Sequence, residues 1–322
     1  MKPRVVIVAG PTASGKTSVA LELARRSRVA IVSADSVQIY RYLDIGSAKP
    51  TVLERQRVPH YMIDIRYPDE EFSAGDYVRE ARTVIAKIIE KSMVPLVVGG
   101  TGLYIRLLKG GIADLPRTDL ALRARLLETE RKEGIEALYR KLENVDPVSA
   151  KTIGPYNYLR ILRALEVFEL TGKPISEFHK EHSLRDCPYD ILYLGLKPER
   201  EKLYRSINDR VDSMMDGGLL DEVKNLYDRG YSRKLKSLQS IGYRHAGMAL
   251  AGEVDVAEAT LLMKRDTRHY AKRQLTWFRS EPDVRWFDPQ EISTIGVEVD
   301  NFLEHRKSVR DFPQRVENVL NN

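Results

Sequence analysis

Residues 5–9, Val-Val-Ile-Val-Ala, run straight into Gly10-Pro11-Thr12-Ala13-Ser14-Gly15-Lys16-Thr17, and from Thr17 the chain takes on helical spacing. The octapeptide fits G-x-x-x-x-G-K-[ST], and a strand before it with a helix after it is the setting this pattern needs. The β-branched run has the length of a buried parallel strand. The turn that follows gathers backbone N–H groups, from Ala13 to Thr17, at the positive end of a helix, where they bind a di- or triphosphate. Lys16 adds a point charge, and the Thr17 hydroxyl is a ligand for Mg²⁺. A turn that merely joined strand to helix would give no reason for Lys16 and Thr17.

The rest of the chain extends this start into an α/β core. Residues 29–33, 94–98 and 191–196 read as further strands, and residues 17–24 and 74–90 as helices between them. Strands separated by helices imply βαβ units and a parallel sheet that binds ligands at the carboxyl ends of its strands. From about residue 116 the β-type runs stop. Residues 120–132, 135–142 and 159–171 are spaced as helices, so an all-helical insertion is expected at 116–187, inside a core made of 1–115 and 188–322. Helices are expected again over 200–215, 219–229 and 254–279, and the polar tail from residue 306 reads as a loosely docked helix.

A phosphoryl-transfer enzyme also needs a strand-end aspartate on the metal side. The 94–98 strand ends instead in Gly99-Gly100-Thr101-Gly102, where paired glycines admit close backbone approach and Thr101 offers a hydroxyl. The carboxylate lies after the 29–33 strand, at Asp35. It is open to three roles at this level: a metal-side group, a general base, or a turn aspartate.

The 322 residues carry 52 Lys and Arg against 46 Asp and Glu, a net charge of +6. That surplus points to a polyanionic partner only where it is concentrated. On a helix, Arg265, Arg268, Lys272, Thr276 and Arg279 fall along one stripe, while Ala271, Leu275 and Phe278 share another face. Such a stripe suits a nucleic-acid backbone, and Tyr270 and Trp277 either pack inward or stack on a base. The single cysteine, Cys187, rules out an internal disulfide and a thiolate zinc site, in keeping with a reducing compartment. No run approaches the roughly 20 apolar residues of a membrane span.

Taken together, seven ordered segments resemble the tRNA dimethylallyltransferases, also called tRNA isopentenyltransferases, of bacterial type. They are residues 10–17, Ser33-Ala-Asp35-Ser36-Val37-Gln38-Ile-Tyr40, Asp44-Ile-Gly-Ser-Ala-Lys-Pro50, Val98-Gly-Gly-Thr101-Gly-Leu-Tyr104, Arg163-Ala-Leu-Glu-Val-Phe168, Ile241-Gly242-Tyr243-Arg244 and Lys272-Arg273-Gln274-Leu-Thr-Trp277-Phe-Arg279. The resemblance covers residues 3–287. It implies a P-loop NTPase-like parallel sheet flanked by helices, and transfer of a dimethylallyl group from dimethylallyl diphosphate to N6 of adenine 37, beside the anticodon of tRNA.

By that resemblance residues 10–17 and Arg210 hold the diphosphate with Mg²⁺ on Thr17, and no phosphoryl group moves, which removes the need for the strand-end aspartate. Lys16, Asp35 and Thr101 become the catalytic residues, with Asp35 accepting the N6 proton. A base so placed is flipped out of the anticodon loop. The tRNA contacts implied are Asp35, Ser36, Val37, Gln38 and Thr101, then Arg123, Leu159, Arg160, Ile161, Leu162 and Arg163. Gln239, Ser240, Ile241, Gly242, Tyr243 and Arg244 follow, then Lys272, Arg273, Gln274, Trp277 and Arg279. One departure stands out: Gly154-Pro155-Tyr156-Asn157 replaces the family's His-Pro-Asn-Asp. A zinc finger of the eukaryotic kind is not matched. The expected state is a cytoplasmic monomer. Two rivals share parts of the pattern: a small-molecule or nucleoside kinase, which leaves the basic stripe idle, and a non-catalytic nucleotide-dependent RNA-binding switch, which leaves Asp35 without a task.

Overall fold

Among the described residues six strands form one sheet in the order β3-β2-β4-β1-β5-β6: β1 (Arg4–Ala9), β2 (Val29–Ala34), β3 (His60–Tyr61), β4 (Val94–Gly99), β5 (Asp190–Leu196) and β6 (Arg285–Phe287). Every pairing is parallel. The computed structural model describes residues 2–111, 115–181 and 187–304, so the tail from residue 306 lies outside the described residues. The central strands are apolar along their whole length because both faces are covered; Val5 to Ala9 and Val29 to Val32 are buried. In register, Ala9 lies beside both Gly99 and Gly195, and Ala34 beside Gly99, so β1, β2, β4 and β5 end level. The residues just past that level edge are Gly10, Asp35 and Gly100.

Local sequence explains the flanking helices. Lys16–Arg26 starts at Gly15, whose φ of 83° is left-handed, and buries Val19, Ala20 and Leu23 on the sheet. Ala74–Glu90 opens with a capping box, Ser73 and Asp76 each bonding the other's backbone N–H, and buries Tyr77, Val78, Ala81, Ile85 and Ile88 at helical spacing. The helix expected from residue 254 begins at Val256, because Asp255 caps it by accepting the N–H of Glu258 at 2.7 Å.

Gly99 has a packing reason rather than a conformational one. A Cβ there would lie 2.1 Å from the carbonyl oxygen of Ala34 on the adjacent strand. Gly99→Ala is therefore expected to destabilise the sheet by about 1–3 kcal/mol, the range of overpacked interiors. A melt of the variant beside the parent should show a midpoint roughly 2–10 °C lower, and an unchanged midpoint would contradict this packing account.

The chain divides into two compact units, residues 1–105 with 188–322, and residues 106–187. The second is helical among its described residues: Leu120–Glu133, Ile135–Val145, Pro147–Ile153, Tyr158–Thr171 and Ile175–Glu181 close around Leu126, Leu138, Leu142, Ile161 and Leu165. It begins at Arg106, inside a helix, Gly102–Gly110, that the sequence pattern does not display. The pattern also omits β3 and β6. They have two and three residues, too short for any period to register. No helix among the described residues is long and apolar enough to cross a membrane.

Candidate active site

The phosphate loop is wound as its sequence requires. Ala13 and Gly15 both take positive φ, 60° and 83°, which turns the intervening N–H groups inward toward the start of the helix. Lys16 folds back over the loop: its Nζ donates to the carbonyls of Gly10 at 3.1 Å and Pro11 at 2.6 Å. Burial, aided by the nearby Arg210 and opposed by Asp35, pushes its pKa down to about 7. Arg210 approaches from the helix Arg200–Asp216 and donates to the Thr12 hydroxyl at 3.4 Å. The Ser14 hydroxyl is buried without a hydrogen-bond partner among the described residues, while Thr17 is exposed.

Asp35 stands just past the end of β2. Its Oδ1 accepts the N–H of Val37 at 2.8 Å and of Gln38 at 3.3 Å, so it is the turn aspartate that its position permits. Both bonds use the same oxygen, and Oδ2 accepts none from the described residues. The carboxylate thus has one oxygen for the turn and one for something else. Thr101 lies across from it: its hydroxyl accepts the N–H of Ser36 at 3.1 Å, and its own N–H donates to the carbonyl of Ala34. Asp35 lines two cavities. One of about 330 Å³ also carries Thr12, Val37, Arg210 and Tyr270; the other, about 60 Å³, carries Lys16, Thr17, Ser33 and Gln38.

Side chains outside the larger cavity brace the loop that lines it at Gly46 and Ser47, and sequence reasoning missed the main one. Glu222, on the helix Leu219–Asp228, accepts the backbone N–H groups of Asp44 at 3.1 Å, Ile45 at 2.8 Å and Gly46 at 3.3 Å, and the Tyr243 hydroxyl at 2.6 Å. Gly46 is glycine because the Tyr243 ring leaves a Cβ only 2.6 Å. The far side of the same loop is tied by Lys49, whose buried Nζ donates to the Tyr40 carbonyl and to Asp44 and Asp64 at 2.6–2.7 Å. No local signal marks Glu222, since its backbone partners lie 176–178 residues away and Tyr243 lies 21 away. Tyr270 resolves inward: burial, with the Asp35 charge adding, raises its pKa to about 12.

The residues expected to meet RNA divide by environment. Ser36, Val37, Gln239, Ser240, Ile241 and Arg273 line the larger cavity. Lys272, Arg273 and Arg279 are exposed on the helix Val256–Arg279. Others are spent internally. Gln38 donates to the carbonyls of Ser47 and Ala48 and bonds Ser33. Tyr243 and Gly242 are buried. Arg244 pairs with Asp266, which also bonds His245 and Arg265; these hydrogen bonds outweigh the opposing effect of burial and hold the Asp266 carboxyl at about 2. Arg268 donates to Asn208 at 2.8 Å instead of lying free on the stripe. Gln274 is 7% exposed, and the Trp277 ring covers Gly102, where a Cβ would meet it at 2.2 Å. In the helical unit, Leu159 and Arg160 are exposed and Arg123 is half-buried, but Ile161 and Leu162 are core residues. Arg163 donates to Glu166 at 2.7 Å and to the Pro116 carbonyl at 2.6 Å. Tyr156, in the departing loop, is 86% exposed.

Among the described residues no group of three or more His, Cys, Asp or Glu could hold a metal ion by itself. A hydroxyl such as Thr17 at a phosphate loop, with a carboxylate in the same small cavity, is the sparse oxygen set that suits Mg²⁺ arriving with phosphate oxygens.

Comparison with known proteins follows the same lines. The family model described as IPP transferase matches residues 38–281. The tRNA dimethylallyltransferase of Syntrophobacter fumaroxidans is 53% identical over 284 residues, 88% of this chain and 83% of that protein. That of Geobacter sulfurreducens is 48% identical over 300 residues, 92% of this chain and 96% of the relative. Among solved structures, the full-length tRNA isopentenylpyrophosphate transferase of Bacillus halodurans has a TM-score of 0.71 at 40% identity, covering 96% of this chain and 99% of that one. A eukaryotic dimethylallyltransferase solved acting on tRNA has a TM-score of 0.80 at 26% identity, covering 98% of this chain and 81% of its own. None of these relatives supports the kinase alternative. With this sheet, this phosphate loop and these relatives, the chain belongs to the IPP transferase family of tRNA-modifying prenyltransferases.

Proposed function

We propose that this enzyme transfers the dimethylallyl group of dimethylallyl diphosphate to N6 of adenine 37 in tRNA, releasing diphosphate. One observation carries the reading: Asp35 lies at the junction of two cavities, with Lys16 and Thr17 in one, and Thr12 and Arg210 in the other. A carboxylate with a free oxygen thus faces the same space as the cations that take up a leaving diphosphate. The exocyclic amine of adenine is a poor nucleophile because its lone pair is delocalised into the ring. In this reading the N6–C1 bond forms as the C1–O bond to diphosphate breaks, and the N6 proton passes to Asp35 Oδ2. Thr101 holds the Ser36 backbone beside it and contacts the base. Lys16, Arg210 and the loop N–H groups stabilise charge on the departing oxygens. Thr17 would hold Mg²⁺ here, and the ion would supply neutralisation of part of that charge.

The partner at the surface is the anticodon stem-loop of tRNA, met by the exposed Lys272, Arg273 and Arg279 in the core unit and by Arg160 and Arg123 in the helical one. Lys272→Ala is expected to weaken tRNA binding and to lower the salt slope of log Kd by roughly 0.7–0.9, one phosphate contact. Filter binding across a salt series reads both quantities; an unchanged slope would mean that Lys272 is merely solvated. A monomer in the cytoplasm completes the reading. The test of function is incubation with unmodified tRNA, Mg²⁺ and labelled dimethylallyl diphosphate without ATP. Label should enter tRNA, and its failure to do so with folded protein would overturn the proposal.

A further inference from the structure

The helix Val256–Arg279 sends one side chain between the two loops that frame the chemistry. The Gln274 Oε1 accepts the N–H of Thr12, in the phosphate loop, at 2.8 Å. Its Nε2 donates to the carbonyl of Gly100, in the loop carrying Thr101, also at 2.8 Å. Gly100 is glycine on this account, since a Cβ there would lie 2.3 Å from Gln274 Nε2. One turn on, the Trp277 ring lies against Gly102 in the same way. Neither loop can move relative to the other without breaking one of these two bonds. An amide supplies one acceptor and one donor at this length whatever the pH, and the identity of the two partners fixes which end faces which loop.

We propose that Gln274 is a positioning residue for the transfer, not an RNA contact: it sets the distance between the donor held by residues 10–17 and the base held at Asp35 and Thr101. The proposal rests on the transferase reading. It attributes to one buried amide the alignment of a carbon electrophile with an amine nucleophile. A misplacement of about 1 Å in such an alignment costs on the order of 100-fold in rate.

Two substitutions test it, with the wild-type enzyme run in the same assay so that transfer itself is established independently. Gln274→Met keeps the volume and loses both bonds; its single-turnover transfer rate is expected to fall by roughly 10- to 100-fold, with the Kd for tRNA and its salt slope unchanged. Gln274→Glu keeps the acceptor but can donate to Gly100 only when protonated. Its rate should therefore rise toward that of wild type as pH falls, read as a ratio to wild type at each pH, the charged and titratable groups around the site being Lys16, Asp35, Tyr270 and Arg273. This profile does not require the methionine variant to fold. A weakened tRNA Kd with an unchanged saturated rate would make Gln274 an RNA contact and overturn the proposal. A rate unchanged in either folded variant, or a flat ratio across pH for the glutamate variant, would overturn it equally.

Discussion

Asp35→Asn should lower the saturated transfer rate by roughly 10²–10⁴-fold, the usual effect of losing a general base, while the Kd for tRNA stays within about twofold. The separation follows from how Asp35 is held. Oδ1 accepts two backbone N–H groups and builds the turn at residues 35–38, and an asparagine carbonyl oxygen can take that place. Oδ2 is the atom lost, replaced by an amide nitrogen that cannot accept the N6 proton. The pocket wall therefore survives and the chemistry does not. Single-turnover rates on saturating tRNA, with binding measured in parallel, decide the matter. A loss confined to binding would make Asp35 a recognition residue.

Replacing Lys16 should be nearly as costly by a different route. In the proposed site Lys16→Ala removes the cation that faces the leaving group, and a fall in kcat of roughly 10²–10³-fold is expected, as for loss of one preorganised charge-stabilising donor. The lysine also gives the donor step a pH signature. In the free protein burial and Arg210 bring its pKa to about 7, so at pH 8 it is mostly neutral. A diphosphate bound against it favours the ammonium and raises the pKa. Between those two values the complex holds more protons than the free protein, so donor binding takes up close to one proton near pH 8 and almost none near pH 6. Calorimetry in buffers of different ionisation enthalpy measures this uptake. A heat of binding independent of buffer at pH 8, or a Lys16→Ala variant that shows the same uptake as its parent, would remove Lys16 from the diphosphate site.

The ease with which this site is read varies along the chain for physical reasons. The phosphate loop and the strand before it announce themselves because strand, glycine turn and helix are consecutive, and every constraint acts within a dozen residues. The helix Ala74–Glu90 is equally legible, since its cap and its buried face are both local patterns. Asp35 is legible only in outline. Its turn can be read from sequence, but the free Oδ2 depends on how the turn is hydrogen-bonded. Glu222 is invisible, being an ordinary helix glutamate until the fold brings residues 44–46 to it. Gln274 enters the sequence reading only as an RNA contact implied by the resemblance, because helical spacing alone does not say which arc of a basic helix meets the sheet's edge. Gly100 and Gly102 carried the missing hint: two glycines so close together mark the approach of side chains from elsewhere, here Gln274 and Trp277.

In the proposed reaction a donor held at residues 10–17 and an adenine held at Asp35 meet so that carbon, and not phosphorus, is transferred. Nucleoside mass spectrometry of tRNA after reaction with dimethylallyl diphosphate and Mg²⁺, alongside a count of released diphosphate, tests it most directly. N6-(dimethylallyl)adenosine at position 37, matched one for one by diphosphate and with no nucleoside triphosphate present, is the predicted result. Phosphorylated product, or modification that requires ATP, would contradict it.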